Sequence, residues 1–282
     1  MDYKTAEQSG QDLVLTGVKH FDPAQTLDCG QAFRWKYNDD SSQFTGIAHG
    51  RRLELHFARD ILTLKNVTQQ EFEATWKEYF DFNRSYSGLR QHFTNTDETM
   101  TKALAFSPGL RLMRQDVWEV LISFILSQNS NIPRIKKMIS LLCEHFGKPL
   151  PCGGFTFPAP EVLAKLNAYD LSPIRCGYRA TYIIDAARRT ADGSFNPVTL
   201  STLSSEEIKK ALLEIHGIGP KVAECVLLYG FGRVERYPID VWVKRVMATL
   251  YPEGFPAALQ KYSGIAQQFL FHYARMNKEQ FV

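Results

Sequence analysis

The chain has 282 residues and an ordinary globular composition, 44% hydrophobic and 22% charged, with a formal net charge of +3. This length allows two or three small domains around a buried core, and the mild positive charge permits a nucleic-acid partner without requiring one. Five cysteines, an odd number at scattered spacing, suggest neither a disulfide framework nor a zinc-binding pattern and indicate a reducing compartment.

The amino terminus, MDYKTAEQSGQDLVLTG, lacks the basic segment followed by an apolar segment that marks a secretion signal. No run approaches the roughly eighteen consecutive apolar residues of a membrane span. We therefore expect a soluble, intracellular protein without a membrane partner.

Residues 1–95 are rich in short segments of β-branched and aromatic residues separated by Gly, Asn and Asp. This pattern predicts an antiparallel β-rich domain with a helix near residues 69–82. The segments predicted as strands are DLVLTGV, QAFRWKY, FTGIAHG, RLELHF and DILTLKNV.

From about residue 96 the apolar residues recur at helical spacing, which predicts an all-α region over residues 96–282. A loop rich in proline and glycine is expected at 147–160. The predicted fold class is therefore α+β, an amino-terminal sheet domain followed by a two-subdomain helical core. The predicted helices lie at 116–128, 131–147, 160–169, 178–193, 203–217, 220–230, 240–251 and 264–277.

A helix, a short hairpin and a second helix are predicted over residues 212–229. Gly217 and Gly219 remove side chains where the backbone bends, and Pro220 suits the first position of a helix. The amides of Gly217, Gly219 and Val222 would form a nest suited to a phosphate. A tight helix connection without a ligand explains the same pattern. Lys221 stands in the first helical turn, where a positive charge is unfavourable.

A second helix start follows, because Pro238 precedes Asp240 and an apolar helical segment. An aspartate at this position caps the helix, and the amide hydrogens and the helix dipole favour its ionised form. Most capping aspartates are only structural. Asp240 stands out because it comes 19 residues after Lys221.

The segments HGIGPKVAEC and YPIDVWVKRV resemble the helix-hairpin-helix and the following Gly/Pro-Asp motif of the DNA glycosylase superfamily. The spacing of lysine and aspartate is similar to that of its lyase-competent members. Further segments resemble the 8-oxoguanine DNA glycosylase/AP lyase branch of that superfamily. They are CGQAFRW, RQDVWEVLISFILSQNSNIPRI, CGYRATYI and GIAQQFLF.

The resemblance implies excision of 8-oxoguanine opposite cytosine and cleavage of the abasic strand by β-elimination. Lys221 would be the nucleophile that attacks C1′ and forms a Schiff base, and Asp240 would stabilise the positive charge on the sugar. Attack requires the neutral amine, although the usual lysine pKa is about 10.4.

The resemblance also assigns residues to the damaged base and to its partner. Gly30 would accept a hydrogen bond from N7–H of 8-oxoguanine through its carbonyl, Gln267 would bond the Watson–Crick edge, and Phe271 and Cys225 would enclose the flipped base. For each residue a purely structural role is the alternative, namely a turn glycine, a core residue or a buried structural cysteine. Extrusion of the damaged nucleotide would leave a gap in the duplex and an unpaired, orphan cytosine. The residues implied to fill this gap or to contact that cytosine are Asn129, Tyr178, Arg134 and Arg179.

Two residues depart from the animal members of the branch, Trp242 in place of histidine and Gln128 in place of serine. An indole cannot carry the charge of a histidine near phosphate. Another glycosylase of the superfamily and a non-catalytic DNA-binding module are the alternatives. An iron–sulfur type is disfavoured because no cysteine follows Cys225, and Lys221 disfavours the alkylpurine branch.

The expected partner is double-stranded DNA containing oxidised guanine, and the expected state is a monomer. We expect no cofactor and no catalytic metal, and leave open a cation that bridges the hairpin backbone and a DNA phosphate. The expected location is the cytoplasm of a prokaryote or the nucleus of a eukaryote.

Overall fold

A six-stranded antiparallel sheet forms the amino-terminal part of the computed structural model, which describes residues 1–281. The strands lie in the order β1-β2-β6-β5-β4-β3. Their bounds are β1 Thr5–Ser9, β2 Asp12–Thr16, β3 Trp35–Asn38, β4 Gln43–Ala48, β5 Arg51–Ala58 and β6 Ile61–Leu64. The predicted antiparallel β-rich domain is confirmed, although β1 was not predicted. This edge strand, TAEQS, is polar and exposed at its end, so it lacks an alternating pattern.

The sheet buries one face because apolar residues alternate along its central strands. Leu13 and Leu15 of β2 are paired with Leu64 and Leu62 of β6, and all four are fully buried. These residues pack against aromatic side chains from the helical segment that follows β6. Burial of this face therefore fixes the register of the sheet.

The helical core follows the sheet, as predicted. The helices are α1 Pro23–Leu27, α2 Gln69–Glu71, α3 Lys77–Tyr79, α4 Tyr86–Thr96, α5 Glu98–Phe106, α6 Val117–Ser127, α7 Ile132–Phe146, α8 Pro160–Leu163, α9 Arg179–Ala191, α10 Pro197–Leu200, α11 Ser205–Leu213, α12 Pro220–Tyr229, α13 Val241–Leu250 and α14 Ser263–Met276. A π-helical turn, Phe72–Trp76, joins α2 to α3, and 3₁₀ turns lie at Ser172–Ile174, Ala257–Tyr262 and Lys278–Phe281. None of the helices in residues 1–281 has the length and apolar character that crossing a membrane requires.

The helix predicted at 160–169 is wrong in its second half, because α8 ends at Leu163. The side chain of Asn167 accepts hydrogen bonds from the amides of Tyr169 and Asp170, and the Asp170 carboxylate accepts from the amide of Asn167 at 2.8 Å. Such local bonds between side chain and backbone compete with helix formation. Apolar spacing alone did not reveal this competition.

Two clusters of buried residues make up the core, one beneath the sheet and one among the helices. Several residues from the first 95 belong to the helical cluster, including Cys29, Phe33 and Phe93. Arg34, which precedes β3, also pairs with Glu119 of α6 at 3.3 Å. The sheet and the helices are thus packed together, and the domain boundary between residues 95 and 96 stays a prediction.

Candidate active site

A cavity of about 320 Å³ lies among α6, α7, α12, α13 and α14. It brings together all of the residues predicted to perform chemistry or to hold the damaged base. These are Gly30, Lys221, Cys225, Asp240, Gln267 and Phe271. The residues predicted to contact the orphan cytosine, and those of the hairpin amides, are not among those lining the cavity.

Lys221 reaches the cavity from the first turn of α12. Gly219 is the N-cap of this helix and Pro220 its first residue, as the sequence predicted. The half-buried Lys221 side chain donates a hydrogen bond from Nζ to Oγ of Ser127 at 3.4 Å. Its Nζ also lies 5.2 Å from the centroid of the Phe124 ring. The lysine is therefore held by α6 at the cavity wall and does not extend into open solvent.

Asp240 lines the same cavity from the N-cap of α13. Its Oδ1 accepts a hydrogen bond from the amide of Val243 at 2.8 Å. One carboxylate oxygen is thereby fixed to the amino-terminal end of the helix, where the helix dipole is positive. The arrangement places a fixed negative charge at the wall of the cavity that Lys221 also lines.

Cys225 lies one helical turn after Lys221 and is buried at the cavity wall. Burial raises the pKa of its thiol to about 11, although the nearby positive charge of Lys221 acts to lower this pKa. Asp240 acts in the opposite direction. The thiol is consequently protonated at neutral pH and offers an apolar, polarisable surface to a ligand.

Gln267 presents an unsatisfied polar group at the cavity. Its side chain is 3% exposed, and within residues 1–281 its buried Oε1 has no hydrogen-bond partner. A buried acceptor without a partner costs free energy, so its presence at a cavity suggests that a ligand satisfies it. Phe271, on the same face of α14 one turn later, supplies an aromatic ring to the cavity.

Gly30 is placed against this ring. Its φ of +88° is one that glycine adopts readily, and a Cβ atom there would lie 3.1 Å from Ile132 Cδ1 and 3.3 Å from Phe271 Cε1. A side chain at position 30 would therefore press against Ile132 of α7 and Phe271 of α14. The glycine therefore keeps the backbone close to the Phe271 ring.

Asn129 and Tyr178 form a pair at the surface beside the cavity. Asn129 has a φ of +47°, in the left-handed region that asparagine tolerates well, and its Nδ2 donates to the Tyr178 hydroxyl at 3.0 Å. Both side chains are exposed, Tyr178 by 49%. Ser127 and Ser130, on either side of this position, line the cavity, so Asn129 stands at its rim.

Arg179 is not free to contact a base in this structure. Its side chain is 3% exposed, and its guanidinium donates to the carbonyls of Gln128, Asn129 and Cys176. These bonds hold the backbone of the Asn129 loop from beneath. The predicted contact of Arg179 with the orphan cytosine stays a prediction, and its burial is a feature that the sequence did not show. Arg134, in contrast, is exposed in the first turn of α7.

The hairpin loop leaves some backbone amides without an acceptor among residues 1–281. In the part of the chain that the structure describes, the amides of Ile215, His216 and Ile218 donate hydrogen bonds in this loop, whereas those of Gly217 and Gly219 have no acceptor. Val222 lies in the first turn of α12, where the backbone amides have no acceptor within the helix. The carbonyl of Gly217 accepts a hydrogen bond from Gln128 Nε2 at 3.2 Å, which links the hairpin to the Asn129 loop.

The two hairpin glycines have different structural roles, and this difference can be tested. A Cβ atom on Gly217, whose φ is +82°, would lie 2.2 Å from the Tyr182 ring, whereas none of the described residues comes within 4 Å of a Cβ on Gly219. We expect Gly217→Ala to lower the free energy of unfolding by about 2 to 5 kcal/mol. Gly219→Ser, which keeps a favourable N-cap, is the control and should change it by less than about 0.5 kcal/mol. Urea denaturation measures both, and equal effects would contradict this assignment.

Several cavity residues were not predicted from the sequence, among them Ser127, Phe124 and Arg275. Ser127 and Phe124 belong to a long apolar helix, where a serine and a phenylalanine carry no distinctive signal. Their spacing of three residues places both on one face of α6, and this was the sequence feature that could have indicated a shared contact. Trp242 also lines the cavity. The guanidinium of Arg245 lies 5.0 Å from the centroid of its ring, so a positive charge is next to the indole.

A lysine in the first turn of the helix that follows the hairpin shares a cavity with a capping aspartate, which is the arrangement of a base-excision DNA glycosylase of the lyase-competent class. Family models agree with this class. Residues 13–121 match the amino-terminal domain of 8-oxoguanine DNA glycosylase, and residues 122–255 match the HhH-GPD superfamily of base excision DNA repair proteins. The chain belongs to the 8-oxoguanine DNA glycosylase family of that superfamily.

Relatives of known description support this membership. The chain is 32% identical to the N-glycosylase/DNA lyase of Saccharomyces cerevisiae over 79% of its own length and 66% of the yeast protein. It superimposes on the structure of MBOgg1 in complex with a low-affinity DNA ligand with a TM-score of 0.92 and 38% identity, covering 99% of this chain and 100% of the other. The 8-oxoguanine glycosylase/lyase of Clostridium acetobutylicum, in complex with duplex DNA containing cytosine opposite 8-oxoguanine, gives a TM-score of 0.92 at 32% identity with the same coverage.

Proposed function

We propose that the protein excises 8-oxoguanine opposite cytosine from duplex DNA and then cleaves the abasic strand by β-elimination. One observation carries the proposal: Lys221, Asp240 and Gln267, whose Oε1 has no hydrogen-bond partner among residues 1–281, share a single cavity of about 320 Å³. A nucleophile, a fixed negative charge and a group able to bond a base edge are the parts that this reaction requires.

Lys221 and Asp240 divide the chemistry between them. The neutral amine of Lys221 attacks C1′ of the extruded nucleotide, a C–N bond forms, and the bond to the base breaks with its electron pair leaving on the base. Asp240 stabilises the positive charge that develops on the sugar. Opening of the sugar gives a Schiff base, which acidifies the C2′ proton, and its loss expels the 3′ phosphate.

Recognition of the lesion depends on one hydrogen atom. Guanine N7 accepts hydrogen bonds, whereas N7 of 8-oxoguanine carries a hydrogen and donates one. The carbonyl of Gly30 accepts from it, Gln267 bonds the Watson–Crick edge, and Phe271 and Cys225 cover the two faces of the base. The protonated thiol and the close packing of Gly30 on the Phe271 ring support this arrangement.

The rim of the cavity holds the distorted duplex. Extrusion of the nucleotide leaves a gap, which Asn129 fills while Tyr178 wedges beside the orphan cytosine. The exposure of both side chains supports this role. Arg134 bonds the cytosine directly. Arg179 also contacts the cytosine once part of its hydrogen bonding to the carbonyls of Gln128, Asn129 and Cys176, which uses most of its N–H groups, opens.

The hairpin binds the DNA backbone through the amides of Gly217, Gly219 and Val222. The open space around Gly219 supports the close approach of a phosphate. The hairpin backbone would also be able to hold a cation, which would supply positive charge to this phosphate. Backbone contacts of this kind weaken as salt concentration rises, because binding releases counterions.

Three further properties complete the proposal. The protein acts as a monomer and resides where the DNA is, the cytoplasm of a prokaryote or the nucleus of a eukaryote. It uses no resident cofactor, because the lysine supplies the nucleophile and the aspartate supplies the charge. Among residues 1–281, no group of three or more His, Cys, Asp and Glu side chains is arranged to hold a metal ion.

A panel of duplexes tests the proposed function. We expect excision of 8-oxoguanine opposite cytosine to be the fastest reaction among 8-oxoguanine, alkylated purines and thymine glycol, each placed opposite each of the four bases. Borohydride should trap the protein on the 8-oxoguanine duplex, because it reduces the Schiff base to a stable amine. Preference for another lesion would favour a different glycosylase of the superfamily, and binding without trapping or excision would favour a non-catalytic module.

A further inference from the structure

Ser127, at the carboxyl end of α6, accepts a hydrogen bond from the Lys221 amine, which also lies beside the buried thiol of Cys225. The Ser127 Oγ accepts from Nζ at 3.4 Å and donates its own hydrogen to the carbonyl of Phe124 at 2.8 Å. Because the hydroxyl hydrogen is committed to that carbonyl, the lone pairs of Oγ are the part of the group that faces the lysine.

The aromatic ring beneath the amine is fixed by its neighbours. The Phe124 ring stacks on Tyr229 with a centroid separation of 5.3 Å and an interplanar angle of 6°, and Phe33 packs against it edge-on at 5.8 Å. The Tyr229 hydroxyl is held in turn by Gln268 at 2.6 Å. The lysine thus lies on a rigid surface, which gives the contact with Ser127 a defined geometry.

The two contacts respond differently to the charge of the lysine. The ring face attracts the ammonium form through its quadrupole, and this attraction is lost when the amine becomes neutral. The Ser127 hydroxyl accepts an N–H from either form. Ser127 is therefore the contact that persists in the state able to attack C1′. With one N–H directed to Ser127, the lone pair of the neutral amine is directed elsewhere.

We propose that Ser127 is a positioning residue for the reaction, which orients the neutral amine of Lys221 so that its lone pair faces the sugar. The inference rests on the proposed function, since it concerns the same nucleophile. Ser127 acts through Lys221 and need not touch the substrate. A merely structural serine would donate to the Phe124 carbonyl and stabilise the end of α6, with no effect on the rate of attack.

Three substitutions separate these roles. Ser127→Ala removes the acceptor, Ser127→Thr keeps it, and Ser127→Val has nearly the shape of the threonine variant without the hydroxyl. Ser123→Ala, in the same helix and outside the cavity lining, is the matched control for loss of a serine hydroxyl from α6. Each variant is measured for single-turnover excision of 8-oxoguanine, for the rate of borohydride trapping, for Kd on the lesion duplex and for Tm.

We expect Ser127→Ala and Ser127→Val to lower the single-turnover and trapping rates about tenfold, the change that one hydrogen bond in the transition state produces. Kd should stay within about twofold of the unmodified protein, because the contact orients the nucleophile and does not hold DNA. Ser127→Thr should recover most of the rate, and Ser123→Ala should match the unmodified protein. Comparison of threonine with valine remains decisive even if the alanine variant is unstable.

The inference is overturned if the valine and threonine variants have equal rates, or if the rates fall only in proportion to a loss of DNA binding or of Tm. It is also overturned if all Ser127 variants react at the rate of the unmodified protein. Failure of the unmodified protein itself to form a trapped adduct would be a different result, because it would contradict the proposed function.

Discussion

Replacement of Lys221 by glutamine is expected to abolish strand cleavage and to reduce base excision by at least about 10⁴-fold. Glutamine is slightly shorter and keeps a polar N–H donor, but its amide nitrogen has no basic lone pair with which to attack C1′ or form a Schiff base. Single-turnover excision and gel analysis of strand cleavage on an 8-oxoguanine:cytosine duplex measure the two losses.

The control for this variant is Lys210→Gln, which removes one positive charge from an exposed position of α11. It should lower excision no more than about threefold, in keeping with the modest effect of a single exposed charge. Lesion-duplex binding by Lys221→Gln should be retained, which would show that the cavity is intact. If Lys221→Gln cleaved the strand at the normal rate, the nucleophile would have to be another group.

Replacement of Asp240 by asparagine is expected to slow excision by about 10²- to 10³-fold with little change in Kd for the lesion duplex. The structure makes this substitution informative because Asp240 is also the N-cap of α13 and accepts from the Val243 amide. Asparagine is about as good an N-cap as aspartate, so the helix start is kept while the negative charge is lost. The loss of rate should therefore report the electrostatic stabilisation of the sugar.

Asp116→Asn provides the matched control, since Asp116 is the N-cap of α6, accepts from the Glu119 amide and lies outside the cavity lining. Its excision rate and Tm should be close to those of the unmodified protein. An Asp240→Asn variant with normal excision, or one whose loss of rate is matched by a large fall in Tm, would show that the aspartate serves only the helix.

Local sequence signals placed the elements that carry the site with good accuracy. Gly217 was predicted at a bend and has a φ of +82°, and Pro220 and Asp240 stand at the helix starts where capping preferences put them. These features depend on neighbours along the chain. The long helices α6, α7 and α12 were visible for the same reason, because their apolar spacing is a local property.

Features that depend on tertiary packing were not predictable in this way. The sequence could not show that Arg179 is buried under the Asn129 loop, since an arginine in the first turn of a helix has no signal of its burial. Nor did it reveal that Ser127 contacts Lys221, which lies 94 residues further along the chain. Lys221 and Asp240 were paired by resemblance, and the fold places both at one cavity.

The cavity also explains why several elements must be assembled before the site exists. Gly30 comes from the segment before the sheet strand β3, Gln267 and Phe271 come from α14, and Lys221 comes from α12. Since the sheet packs on the helical core through residues such as Cys29 and Phe33, the position of Gly30 depends on that packing. In the proposed mechanism, the residues that recognise the base therefore come from three parts of the chain, and Cys225 shares α12 with the nucleophile Lys221.

The most direct test of the account is to identify the residue that becomes covalently joined to DNA. The protein is incubated with the 8-oxoguanine:cytosine duplex and borohydride, digested with protease and nuclease, and analysed by tandem mass spectrometry. The account predicts that the reduced sugar remnant is attached to Nζ of Lys221. Attachment to another lysine or to the amino-terminal amine, or no adduct with a duplex that is nevertheless cleaved, would contradict it.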